Sequence, residues 1–289
     1  MKSILTLVLS LAISSTCLAQ EDLLELVDTE SGDGSDFVEQ TFKGTRLING
    51  HSIETRKRGI LDVIISHRFG RLNSGAYELF GLDESNVRLG VDFGITDRLN
   101  IGMGRNSFEK TFDGFLKYKI LRQRPDGPPV SAAGFSSIAL KTLKSGDPPG
   151  EPDVTSRLTY SYQVILAKKF SPSVSLQISP TMVHRNSVLE ETDPNDIFAL
   201  GAGGRIKLTK RLSLNAEYYY QFNTIENSLM KNSVAIGFDI ETGGHVFQLH
   251  FTNSRAMIEK GFITETSGDF FDGDVHFGFN ISRTFQLYE

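Results

Sequence analysis

Along most of the chain, apolar and polar residues alternate one for one. In the run 86–95 (Asn-Val-Arg-Leu-Gly-Val-Asp-Phe-Gly-Ile) every odd position is apolar and every even one is polar or Gly. A period of two belongs to a strand whose two faces meet different surroundings. The same alternation marks 98–104, 157–164, 173–179, 212–218, 234–240 and 275–281. Weaker runs cover 60–69, 111–121, 130–141, 196–208 and 245–253. Together they predict about twelve strands of roughly ten residues, with no amphipathic helix of comparable strength between them.

The links carry a second signal. Tight turns at 96–98, 171–173, 209–211 and 241–244 alternate with long links at 70–84, 142–156, 185–195, 222–231 and 254–273. An antiparallel up-and-down transmembrane β-barrel shows this rhythm, with its short turns in the periplasm. An even strand number then puts both termini on the periplasmic side. The link 122–129 breaks the rule by falling on the short side at eight residues. Of the nine prolines only Pro180 lies inside a strand, where it predicts a bulge.

Alternation alone does not distinguish a soluble barrel from a membrane one. Strands of about ten residues match a tilted bilayer crossing, whereas soluble strands cluster near five or six. The N-terminus adds an export signal. Lys2, an apolar core at 4–13 and the small-residue stretch up to Ala19 have the layout of a secretory signal peptide over residues 1–19. Residues 20–56 read as a polar leader, a periplasmic segment or plug, with an acidic loop at 28–36 and a possible short strand at 40–48. Residues 57–289 are the barrel domain.

Composition then narrows the function classes. A formal charge of −5 argues against a nucleic-acid partner, and the single Cys excludes disulfide scaffolds and multi-Cys metal sites. On the polar face of the predicted strands stand Arg88, Asp92, Lys117, Lys119, Arg157, Lys169, Arg205, Glu217 and Asp239. Charges lining a lumen set pore selectivity, and mixed signs equally suit a salt-bridge network filling a closed one. Gly90, Gly94, Gly102, Gly104, Gly201, Gly203, Gly237 and Gly278 share that face. They either relieve sheet curvature or clear room for a solute or for the leader. Twelve strands fall between filled eight-stranded barrels and open porins, so a narrow or plugged pore is expected.

Catalytic signatures are absent: there is no GxSxG elbow, HExxH or phosphate loop. The chain is read as no enzyme and as needing no cofactor. His250 and His276 lie on polar faces either side of the 254–273 link, where antiparallel pairing would bring two imidazoles together as a candidate metal site. The acidic stretch 269–274 offers oxygen ligands of the kind calcium takes, beside its plainer reading as a solvated tip.

The stretch from Lys57 to Arg71 (Lys-Arg-Gly-Ile-Leu-Asp-Val-Ile-Ile-Ser-His-Arg-Phe-Gly-Arg), continuing through Gly75-Ala76-Tyr77 and Phe80-Gly81-Leu82-Asp83, resembles a Bacteroidota family of outer-membrane-type β-barrel proteins of unknown function. The segments 88–99 and 112–119 look like those that follow it in the family. The resemblance implies an outer-membrane barrel and brings no substrate, cofactor or catalytic residue. The expected function is a narrow channel or transport-pathway component in contact with outer-membrane lipid, passing a small solute. The alternatives are a non-conducting anchor or docking platform for a periplasmic partner, and a lipid-modifying enzyme at the rim.

Overall fold

The computed structural model describes residues 37–143, 153–188, 193–223 and 230–288. The expected signal peptide, residues 1–19, and the acidic run 28–36 lie outside them. From Val38 onward the chain forms one compact unit. Its strands are β1 (Ile60–Arg71), β2 (Ser85–Gly94), β3 (Leu99–Asn106), β4 (Phe112–Leu121), β5 (Ser131–Leu140) and β6 (Leu158–Lys169). After them come β7 (Val174–Arg185), β8 (Asp196–Lys207), β9 (Leu212–Gln221), β10 (Ser233–Thr242), β11 (His245–Thr252) and β12 (His276–Gln286). Each pairs antiparallel with its sequence neighbours, and β12 closes on β1 through partners such as Ile65 and Ile281. The result is a closed twelve-stranded barrel.

Burial shows which way the faces point. Lys117 is 0% exposed, while Leu89 and Met103 are 59% and 64% exposed. Polar side chains therefore look inward and apolar ones outward, the inversion that lipid imposes on a closed sheet. Outward aromatics gather in two bands. Phe93, Tyr118, Phe170, Phe247 and Phe285 ring the short-turn end, and Phe69, Phe112, Phe198, Tyr220, Phe251 and Phe277 ring the long-loop end. Such girdles mark the two membrane–water interfaces of a spanning barrel.

Two expectations are corrected. Pro180 makes no bulge: the β6–β7 register is the same on both sides of it, with Gln163 opposite Thr181 and Leu166 opposite Ile178. The missing proline N–H leaves a gap in the ladder without an inserted residue, and the ring points outward. Register shifts occur instead between Arg68 and Arg71 and between Lys119 and Leu121. Residues 40–48 also form no strand. The described leader has one isolated bridge, Arg46 to His51, because its backbone is bonded to side chains of the barrel wall.

Two segments fill the interior. Residues 38–58 enter and leave at the short-turn end: the Val38 N–H donates to the Gln123 carbonyl at 2.8 Å, and the Arg58 N–H donates to Asp97 at 3.0 Å. The long link after β11 enters from the other end and carries a short helix, α1 (Glu259–Thr264), all six residues of which are buried. The apolar core is correspondingly split. Phe42, Leu47 and Ile53 of the leader pack with Phe115, Phe135 and Ile165, while Phe262 and Ile263 of α1 pack with Val183, Ala199 and Tyr219.

Candidate functional site

The leader reverses direction in a tight turn at 47–50, where the Leu47 N–H donates to the Gly50 carbonyl at 2.8 Å. Three successive backbone N–H groups of that turn point at one carboxylate. Glu217, on β9, accepts from Ile48 at 3.2 Å, Asn49 at 2.8 Å and Gly50 at 3.2 Å. A hydrogen bond to a charged group contributes about 1.5–3 kcal/mol net, and without the carboxylate three buried donors would be orphaned. Gly50 is required by this packing, since a side chain there would meet the Tyr219 ring.

The remaining lumen charges are used similarly. Asp92 accepts from Thr45 Oγ1 at 2.7 Å and pairs with Arg46 at 2.9 Å. Lys117 Nζ donates to the Ser52 carbonyl at 3.0 Å, Lys119 stands 3.6 Å from Glu54, and Lys169 Nζ donates to the Glu39 carbonyl at 2.9 Å. Arg205 reaches the carbonyls of Gln40 and Thr41, both at 3.4 Å. Asp239 accepts from Gln248, whose amide also donates to the Leu47 carbonyl. Arg88 differs: its partner is Asp113 across the wall, with Nε to Oδ1 at 3.0 Å. Arg157 lies just before β6, at the long-loop rim.

At the opposite end α1 is pinned by charge as well as by packing. Lys260 pairs with Glu109 at 2.9 Å and with Glu265. Burial works against the ammonium, but the two carboxylates outweigh it and hold its pKa above the ordinary lysine value. Glu259 faces His51 of the leader at 3.9 Å, both side chains being almost wholly buried. Burial pushes the Glu259 carboxyl up to about 7, against the pull of Arg46. Burial, reinforced by Arg46, Lys117 and Arg88, holds His51 well below its ordinary value.

His250 and His276 sit on adjacent strands in a diagonal relation, with His250 opposite Gly278 and Thr252 opposite His276. Their rings have separate partners: His250 Nε2 meets Arg68, and His276 Nδ1 meets the Phe69 carbonyl at 2.8 Å. Among the described residues no group of three or more His, Cys, Asp or Glu is arranged to hold a metal. Asp269 pairs with Lys231, and Asp274 with Arg71.

Sequence reasoning passed over the apolar residues of the inner face. Phe115, Phe135, Ile165 and Tyr219 interrupt the polar alternation, and each is a landing site for the leader or for α1. Several inner glycines serve them. A side chain at Gly203 would collide with Leu47, at Gly102 with Phe115, and at Gly90 or Gly104 with Arg88.

The family model described as a membrane bound beta barrel domain (DUF5777) matches residues 42–285. No curated protein sequence matches the chain. Among solved structures, the NanC porin is similar at a TM-score of 0.50 and 11% identity, covering 78% of this chain and 100% of its own. The KdgM porin gives 0.47 and 8%, covering 78% and 99%. An outer membrane channel from Pseudomonas putida F1 gives 0.47 and 11%, covering 81% and 98%. At these identities the likeness is one of fold.

Proposed function

Because the chain belongs to the family of membrane-bound β-barrel domains DUF5777, we propose that it is a narrow outer-membrane channel for small solutes, held shut by its own leader. The observation that carries this reading is how the lumen charges are used. Asp92, Lys117, Lys119, Lys169, Arg205 and Glu217 all reach residues between Glu39 and Glu54. Charges that would otherwise face a water column instead clasp a removable segment of the same chain. Freed of it, the same residues line a polar path of mixed sign.

The family description and the porin fold of a similar structure support the outer membrane as its place. In this reading the short turns and both termini face the periplasm, so the leader closes the periplasmic mouth. Its attachment at Val38 and Arg58, both at the short-turn end, lets it withdraw on that side without crossing the wall. His250 and His276 brace the wall through Arg68 and the β1 backbone.

Planar-bilayer recording of the purified mature protein tests the channel. Discrete current steps with a reversal potential shifted by a salt gradient are expected. Silence from protein shown to be inserted would overturn the reading in favour of an anchor or docking platform.

A further inference from the structure

The lumen has two stoppers rather than one, and they touch. The leader supplies His51 and the long link supplies Glu259, with Nε2 and Oε1 3.9 Å apart. That distance exceeds a hydrogen bond, and Glu259 Oε1 is a buried oxygen with no hydrogen-bond partner. The surrounding charges are already committed. Arg46 pairs with Asp92, Arg88 with Asp113, and Lys260 turns away to Glu109 and Glu265. Lys117 is spent on the Ser52 carbonyl, and His51 lies between the rings of Phe115 and Phe135 at 4.4 and 4.2 Å. A carboxylate at Glu259 would thus be a buried charge without a counterion of its own.

On the reading of the barrel as a gated channel, we propose that α1 and its flanking link form a second gate at the long-loop mouth, seated by acid and released as the medium turns alkaline through Glu259. The segment is built to move as a unit. Its inward anchors are Phe262 and Ile263, both 0% exposed, with Phe262 set edge-on to Tyr219 at 4.9 Å. Its hinges are Asn253, bonded to the Asn232 and Gly268 carbonyls, and Thr266, whose carbonyl accepts from Lys231. Gly261 lets the helix approach Ala256, where a Cβ would collide.

The sign follows from linkage. Seated, the carboxyl keeps its proton up to about pH 7; released into water, it loses it near pH 4.3. The seated state therefore binds the proton more tightly and is fully favoured below about pH 4. It weakens as pH rises between the two values, and above about pH 7 the effect levels off. Each unit of difference is a factor of ten, so the ratio of released to seated gate should rise by roughly 300-fold between pH 4 and pH 8.

The chain contains no Trp, so one placed on the gate reports it alone. Phe262→Trp in the mature full-length protein, reconstituted in vesicles, is expected to be shielded from acrylamide at pH 5 and several-fold more quenched at pH 8. Adding Glu259→Gln should keep it shielded throughout. Met257→Trp, also buried on the gate, serves if the first substitution does not fold. Quenching that ignores pH, or that keeps its pH dependence in the Glu259→Gln protein, overturns the proposal. The readout needs no current, so a barrel that never conducts sinks the channel while leaving the gate's motion measurable, and the two failures stay distinguishable.

Discussion

Glu217, deep in the barrel wall on β9, accepts the backbone N–H of Asn49 at 2.8 Å from a residue 168 positions away. The same carboxylate takes the N–H groups of Ile48 and Gly50, so one side chain fixes the tip of the leader. Glu217→Ala should release that tip. With three charge-assisted bonds lost, each contributing about 1.5–3 kcal/mol, trypsin should cut at Arg46 at least tenfold faster than in the parent. Equal protection would show that the apolar contacts alone hold the leader.

Gly203 offers a steric test of the same seat. A Cβ there would collide with Leu47, so Gly203→Val should unseat the leader while leaving the barrel closed. Gly243→Val, where added atoms meet open space, should have no effect. Heat-modifiable mobility on electrophoresis reports the barrel, and proteolysis at Lys43 and Arg46 reports the leader.

Lys260 should be the weak point of the other stopper. Lys260→Met removes the cation that Glu109 and Glu265 share and leaves only Lys141, which pairs with Glu109, a loss of about 3 kcal/mol. Chymotrypsin added outside should then reach Phe262. Adding Glu265→Gln should restore part of the protection, because the like-charge repulsion is gone.

The lipid face can be checked by charge. Met103, 64% exposed and outward on β3, should cost about 2–4 kcal/mol when replaced by Arg, the range for a cation at the bilayer midplane. Denaturant titration of folding into vesicles measures this. An unchanged midpoint would place that face in water.

The strands were legible in the sequence because lipid on one side and a polar lumen on the other force a period of two. The run 86–95 matches β2 almost residue for residue. What fills the lumen was not legible in the same way. Glu217 reads as one more polar-face charge, and only the folded chain brings it to Ile48, Asn49 and Gly50. A trace was present in Phe115, Phe135, Ile165 and Tyr219, apolar residues on a face that water alone would keep polar. The leader's own pattern misled at 40–48, since a segment whose N–H groups go to carboxylates and amides needs no partner strand. Pro180 misled for a related reason: an outward ring costs a ladder bond, yet the flanking pairs hold the register.

As proposed, residues 38–56 close a conducting barrel. Single-channel current recorded at pH 7.5, where the α1 gate is expected to be at its loosest, from the protein beginning at residue 20 and from the same protein lacking residues 20–56 separates the two states. Rare, brief openings are expected with the leader present, and long-lived steps of one size without it. Identical records from the two proteins, whether both open or both silent, would contradict the proposal.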